Sequence, residues 1–224
     1  MTSLTARLAA AALAVPLVIA TAGTANAGTK WTYKSSGSFA SVSWMEVGKL
    51  PAPVLGNYHV GYLDIRGDKA VDVFGEVTDW TCPKGELPPE FGGGHGEEEP
   101  ETKCTLESIR FVFADPGAIT FTVDRKLNAA TLVGNLIVSD HEGEGTAIPP
   151  VNMTLTGIGG TSKTTSTSTG TDPNGSKYTY RMTETGREGS VSGRIGAMVF
   201  DDEAGEFSYG YFGTYRTDER TTTP

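Results

Sequence analysis

Thirteen of the 27 carboxylates of this 224-residue chain are gathered into three short stretches, and the chemistry such gathering can support is the binding of a hard cation. Six glutamates and two lysines stand between Cys82 and Cys104. Asp140, Glu142 and Glu144 alternate along residues 140–144, and Asp201, Asp202, Glu203 and Glu206 fill residues 201–206. Calcium takes several carboxylate and carbonyl oxygens from a flexible loop. Asp140-His141-Glu142-Gly143-Glu144-Gly145 supplies carboxylates at alternate positions with glycines for tight turning, yet it does not complete an EF-hand loop. Solvated hairpin ends are the competing reading, and composition favours it. Calcium is the one cofactor the sequence raises, and none is expected to be required.

Aromatic rows offer a second kind of site. Phe207, Tyr209, Tyr211 and Tyr215 fall on one face of a single segment, as do Tyr178 with Tyr180 and Tyr58 with Tyr62. Such rows line grooves for carbohydrate or apolar ligands, each phenol adding a polar tip. They also build cores, and packing into the core is the expectation that burial preferences favour. Tyr209, Tyr211 and Tyr215 are the candidate ligand-binding residues.

Catalytic motifs fail on inspection. Gly157 to Thr164 resembles a phosphate loop only faintly, because Ser162 stands where a glycine must precede the lysine. Gly189-Ser190-Val191-Ser192-Gly193 has its glycines at the wrong offsets for a nucleophile elbow. His59, His95 and His141 include no pair at metal-ligand spacing. No catalytic residue is assigned, although paired carboxylates for sugar hydrolysis leave no mark in sequence spacing.

The elements that must position these residues begin after residue 27. Arg7, the apolar run from Leu8 to Ala20 and the small-residue ending Ala25-Asn26-Ala27 follow the order of a cleaved secretory signal peptide. That run is short for a bilayer span, so no integral membrane insertion is expected after cleavage. Export makes Cys82 and Cys104, the only cysteines, a disulfide that closes an acidic Gly/Pro-rich loop over residues 82–104. Leu87 and Phe91 within it are apolar points that either pack down or meet a partner. The net charge is −9 for the whole chain, which argues against nucleic acid and anionic lipid as partners.

Alternation with period two recurs from Phe39 onward: Ala40, Val42 and Trp44 against Ser41 and Ser43, then Val71, Val73 and Val77 against Asp72, Glu76 and Thr78. Asp115-Pro116-Gly117 and Asp172-Pro173-Asn174-Gly175 are turns with a mechanism, since Pro presets one dihedral and Gly tolerates the next. The pattern predicts an all-β domain over residues 28–216, an antiparallel meander of roughly ten or eleven strands forming a barrel-like or sandwich structure. Residues 217–224 read as a flexible polar tail. Counted as a simple meander, the second and third acidic stretches share one end of the sheet and the disulfide loop lies at the other.

Several short blocks are similar to secreted actinobacterial proteins of no assigned activity. They are the Ala/Thr/Gly-rich leader, Asp79-Trp80-Thr81-Cys82, Glu86-Leu87-Pro88-Pro89, Gly92-Gly93-Gly94-His95, Cys104, Thr122-Val123-Asp124-Arg125-Lys126-Leu127 and Gly134-Asn135-Leu136. The resemblance implies export and a bacterial source and transfers no site residue. The expected product is a secreted or envelope-associated, non-catalytic binding module for a small apolar ligand, a glycan or a protein. A secreted hydrolase with a carboxylate site is the alternative. An enclosed apolar cavity would favour a carrier, an open groove with facing acids an enzyme, and a filled core an interaction module.

Overall fold

The computed structural model describes residues 29–48, 55–68, 70–89, 103–140, 146–200 and 207–223. The proposed signal peptide, Phe91, Glu142 and Glu144 lie outside them. The described chain is all-β. Its strands are β1 (Lys30–Gly48), β2 (Leu55–Gly67), β3 (Val71–Pro83), β4 (Thr105–Phe113), β5 (Ile119–Val123), β6 (Ala129–Asn135), β7 (Ile137–Asp140), β8 (Pro150–Thr171), β9 (Lys177–Ile195), β10 (Met198–Phe200) and β11 (Phe207–Thr222). They form one antiparallel sheet in the order β5-β6-β8-β9-β11-β1-β2-β3-β4-β7, with β10 beside β9, curled into a half-barrel.

Two connections draw the ends of that sheet together. β4 and β5 lie near opposite ends of the order and are joined only through the Asp115-Pro116-Gly117 turn, where Ala118 N–H donates to the Asp115 carbonyl at 3.0 Å and Gly117 takes φ +83°. β6 and β7, again at opposite ends, are separated by Leu136 alone, and Leu136 is fully buried. A simple meander has no such links, which is why strand counting misplaces the acidic stretches. Asp140 stands in the row that crosses to Trp44, Phe207 opposes Met45, and Pro83 opposes Leu55. All three stretches therefore leave strands at the same end of the sheet, the disulfide loop included.

The core fills the inside of the curl. Ala40, Val42 and Trp44 of β1, Leu63 and Ile65 of β2, and Met153 and Leu155 of β8 are among its buried side chains, with Phe212 of β11 at 0 % exposure. Each of the larger aliphatic and phenylalanine side chains among them contributes roughly 1.5–3 kcal/mol through removal of apolar surface from water. β5 lies across the inside of the curl, with the Phe121 ring 3.2 Å from where a Cβ on Gly67 would stand. The following turn drives Leu127 into the core at φ +54°, held by its N–H to the Asp124 carbonyl at 2.9 Å. Left-handed backbone is costly for a leucine, and burial of the side chain offsets it.

Beyond β5 the four central strands run on without a covering layer. β1 pairs with β2 only from Ser38 onward, and β8 pairs with β6 only up to Thr156, so the Lys30 end is a four-stranded extension with two free edges. Its tip is the Asp172-Pro173-Asn174-Gly175 turn, in which Gly175 takes φ +83° and its N–H donates to the Asp172 carbonyl at 2.8 Å. The expected flexible tail is corrected here. Residues up to Thr222 belong to β11 between β1 and β9, and Thr217 is buried, its hydroxyl 2.8 Å from that of Ser35. Short polar side chains that exchange hydrogen bonds across a ladder order a segment whose composition alone suggests fraying.

Candidate functional site

Register decides which side chains share a face. The inner face of β1 holds Ala40, Val42 and Trp44, so Trp31, Tyr33, Phe39 and Ser41 point outward. Through the ladders, Tyr209, Tyr211 and Tyr215 of β11 and Tyr178 and Tyr180 of β9 join that outer face. The inner contribution of β11 to the core is Phe212, not the tyrosine row. Packing of those tyrosines into the core is thereby overturned: Phe212 fits because Gly189 beside it leaves room, with the ring 2.9 Å from where a Cβ would stand.

The outward rings lie down on the sheet. A Cβ on Gly170 would meet the Tyr178 ring and hydroxyl, one on Gly186 would meet Tyr211, and one on Gly37 would meet Tyr215, all within 2.9 Å. Each tyrosine thus covers a glycine of a neighbouring strand, which supports the strand and leaves one aromatic face toward solvent. Tyr211 is further tied to Ser162, hydroxyl to hydroxyl at 3.0 Å, and its ring centroid is 5.7 Å from that of Phe39. Tyr209 stands 41 % exposed, and Trp31 and Tyr33 about half exposed. Burial pushes the Tyr209 phenol up, with the Glu188 carboxylate adding to it, and burial with Asp68 does the same at Tyr215. These phenols stay protonated at neutral pH and offer both a donor and an acceptor.

Over β2 and β3 the start of the disulfide loop packs down: Tyr58 donates to the Glu86 carbonyl at 3.4 Å and Pro88 is buried, while Leu87 remains exposed. Cys82 and Cys104 are bonded, as their parity suggests. Trp80 donates its indole N–H to Thr78 at 2.9 Å, and Thr78 to the Val60 carbonyl at 3.3 Å.

A polar cluster that spacing could not reveal sits on the inner face at the acidic end. Asp79 of β3 accepts from His59 of β2, from Ser108 of β4, and from Arg110 Nη2 at 3.1 and 2.9 Å. Burial alone would raise the Asp79 carboxyl, but the hydrogen bonds from Ser108 and His59 and the charge of Arg110 outweigh it and hold the group below the usual range. An ionised Asp79 makes His59 Nδ1 the donor and leaves Nε2 the basic nitrogen. Ser108 is bonded to the carboxylate and not to the imidazole, so the trio lacks the relay of a serine nucleophile. In the adjacent row, Trp44 Nε1, Arg110 Nε and Asp140 Oδ1 are buried without hydrogen-bond partners among the described residues. Asp140, the one described member of the candidate cation site, therefore stands opposite Arg110. Among the described residues no three His, Cys, Asp or Glu side chains are grouped to hold a metal ion.

Among the described residues no helix is long and apolar enough to cross a membrane. No protein-family model, curated protein or solved structure matches the chain.

Proposed function

We propose that the protein is an exported, non-catalytic binding module that holds a glycan across the outer aromatic face of β1, β9 and β11. The observation that carries this is the set of rings of Tyr178, Tyr211 and Tyr215, each lying along the outward face of the sheet over a glycine. Sugar rings stack on such flat-lying aromatics, and the neutral phenols supply hydrogen bonds at the ring edges. The leader-like residues 1–27 and the Cys82–Cys104 bond support export to an oxidising compartment. A carrier of small apolar molecules would need an interior cavity where Leu63, Met153, Leu155 and Phe212 are packed.

Titration calorimetry against a panel of uncharged oligosaccharides tests the reading. An aromatic contact is worth roughly 0.5–1.5 kcal/mol, so the double variant Tyr211→Ala/Tyr215→Ala loses about tenfold or more in affinity while its inner core stays intact. Failure of every uncharged glycan to bind, or equal binding by the variant, contradicts it. The second reading, a hydrolase, is favoured by one observation: Asp79 orients His59 as a base beside unpartnered buried polar atoms. Hydrolysis of a bound glycan that His59→Ala abolishes would put this reading first.

A further inference from the structure

We propose that the inner face of the four-stranded extension binds a linear phosphodiester polymer whose repeating units are polyols or sugars. This surface is the opposite side of the sheet from the aromatic face, so each proposal stands or fails without the other.

The same register that turns the tyrosines outward places the cations together. On the inner face β1 presents Lys30 and Lys34, and β11 presents Arg216 and Arg220. Lys177 and Arg181 come from β9, and Lys163 from β8. All seven are exposed, and Asp218 is the single acid among them. It neutralises part of the surface, through Arg220 at 2.9 Å and Lys34 at 4.0 Å. In a chain of net charge −9 this is segregation and not composition. The strands that lead into the three acidic stretches end at the far end of the sheet from this surface.

Spacing gives the ligand its form. The rows run Lys30–Lys177, Arg220, Lys34–Arg181, Arg216 and Lys163, each with at least one cation. Alternate residues on one strand face are about 6.8 Å apart, so the five rows span about 27 Å in a line. Between the cations the same face carries hydroxyls, Thr165, Thr167, Thr169, Thr179 and Thr183 among them, which donate to phosphate oxygens. An open cleft of about 470 Å³, lined by Tyr33, Lys34, Ser35, Ser36, Asp68 and Arg216, borders this surface along the free edge of β1.

Two features choose among polyanions. No aromatic residue lies on this face of the extension, and sequence-tolerant binding of single-stranded nucleic acid relies on stacked aromatics. No apolar side chain rises from it either, so nothing on it would enter an anionic bilayer. A polymer carrying phosphates between hydroxyl-rich units matches cations and threonines together.

Binding of a synthetic glycerol phosphate oligomer to the full-length protein is the test. Calorimetry is run at several salt concentrations beside a single-stranded oligonucleotide of equal charge and phosphatidylglycerol vesicles. The expected result is binding of the oligomer that weakens steeply between about 50 and 200 mM salt, as counterion release requires. Arg181→Glu/Arg216→Glu should lower the affinity at least tenfold and flatten the salt dependence. Arg181→Lys/Arg216→Lys should retain most of the affinity, which separates lost charge from lost folding, and Tyr211→Ala/Tyr215→Ala should change nothing. Absence of binding, tighter binding of the oligonucleotide or the vesicles, or indifference to the charge-reversal pair overturns the proposal.

Discussion

Along β1 one face serves two purposes. Near its middle Ala40, Val42 and Trp44 are buried beneath the curl, whereas Lys34 and Lys30 on the same side are exposed to water. The pleat and the pairing with β11 continue unbroken through both halves. What changes is the cover: β5 and Leu127 lie over the Ala40–Trp44 part, and nothing described lies over the Lys30–Lys34 part. Arg187 marks the boundary, donating to the Leu127 carbonyl at 3.2 Å and to Asn128 at 3.3 Å. A strand does not choose its residues by being a strand; it chooses them by what faces it. The uncovered half is free to carry charge on one side and flat aromatic rings on the other.

That contrast can be broken by substitution. The largest effect belongs to the covered half: Phe212→Ala removes a fully buried ring, with an expected loss of about 3–5 kcal/mol in denaturant unfolding. Replacing both Cys82 and Cys104 by Ser releases the loop between them and costs about 3 kcal/mol on the chain-entropy estimate.

Asp79→Asn removes a charged acceptor shared by three donors and costs roughly 1–3 kcal/mol near neutral pH. Because the folded-state carboxyl lies below its ordinary value, that contribution is complete above the unfolded pKa and disappears as pH falls through the folded one. The difference between wild type and variant in urea unfolding should therefore close in acid; a difference independent of pH would contradict the assigned charge state. Smallest of all is Thr167→Ala in the uncovered half, where the expected change is within about 0.5 kcal/mol. A loss comparable to that of Phe212→Ala would mean the extension is covered after all.

Strands and turns were legible because alternation and Asp/Pro/Gly chemistry are local. Which face of β11 looks inward was not, since one phenylalanine fitted beside a glycine outweighs a row of tyrosines, and that glycine lies on another strand. The basic surface escaped for a related reason. Its cations stand four residues apart on β1, β9 and β11 with one more on β8, and averaging over the chain cancels them against distant carboxylates. Asp79 and its partners are 20, 29 and 31 residues apart, joined only by ladders. The disulfide needed no geometry, because two cysteines allow one pairing.

Residue-resolved hydrogen exchange tests most directly the claim that cover, and not strand pairing, divides this sheet. The amides of Ala40, Val42, Leu155 and Phe212 should exchange only through global unfolding. Those of residues 177–185 and 214–222, which like Phe212 are paired on both sides, should exchange orders of magnitude faster through local opening. Uniform protection along β9 and β11 would contradict the account.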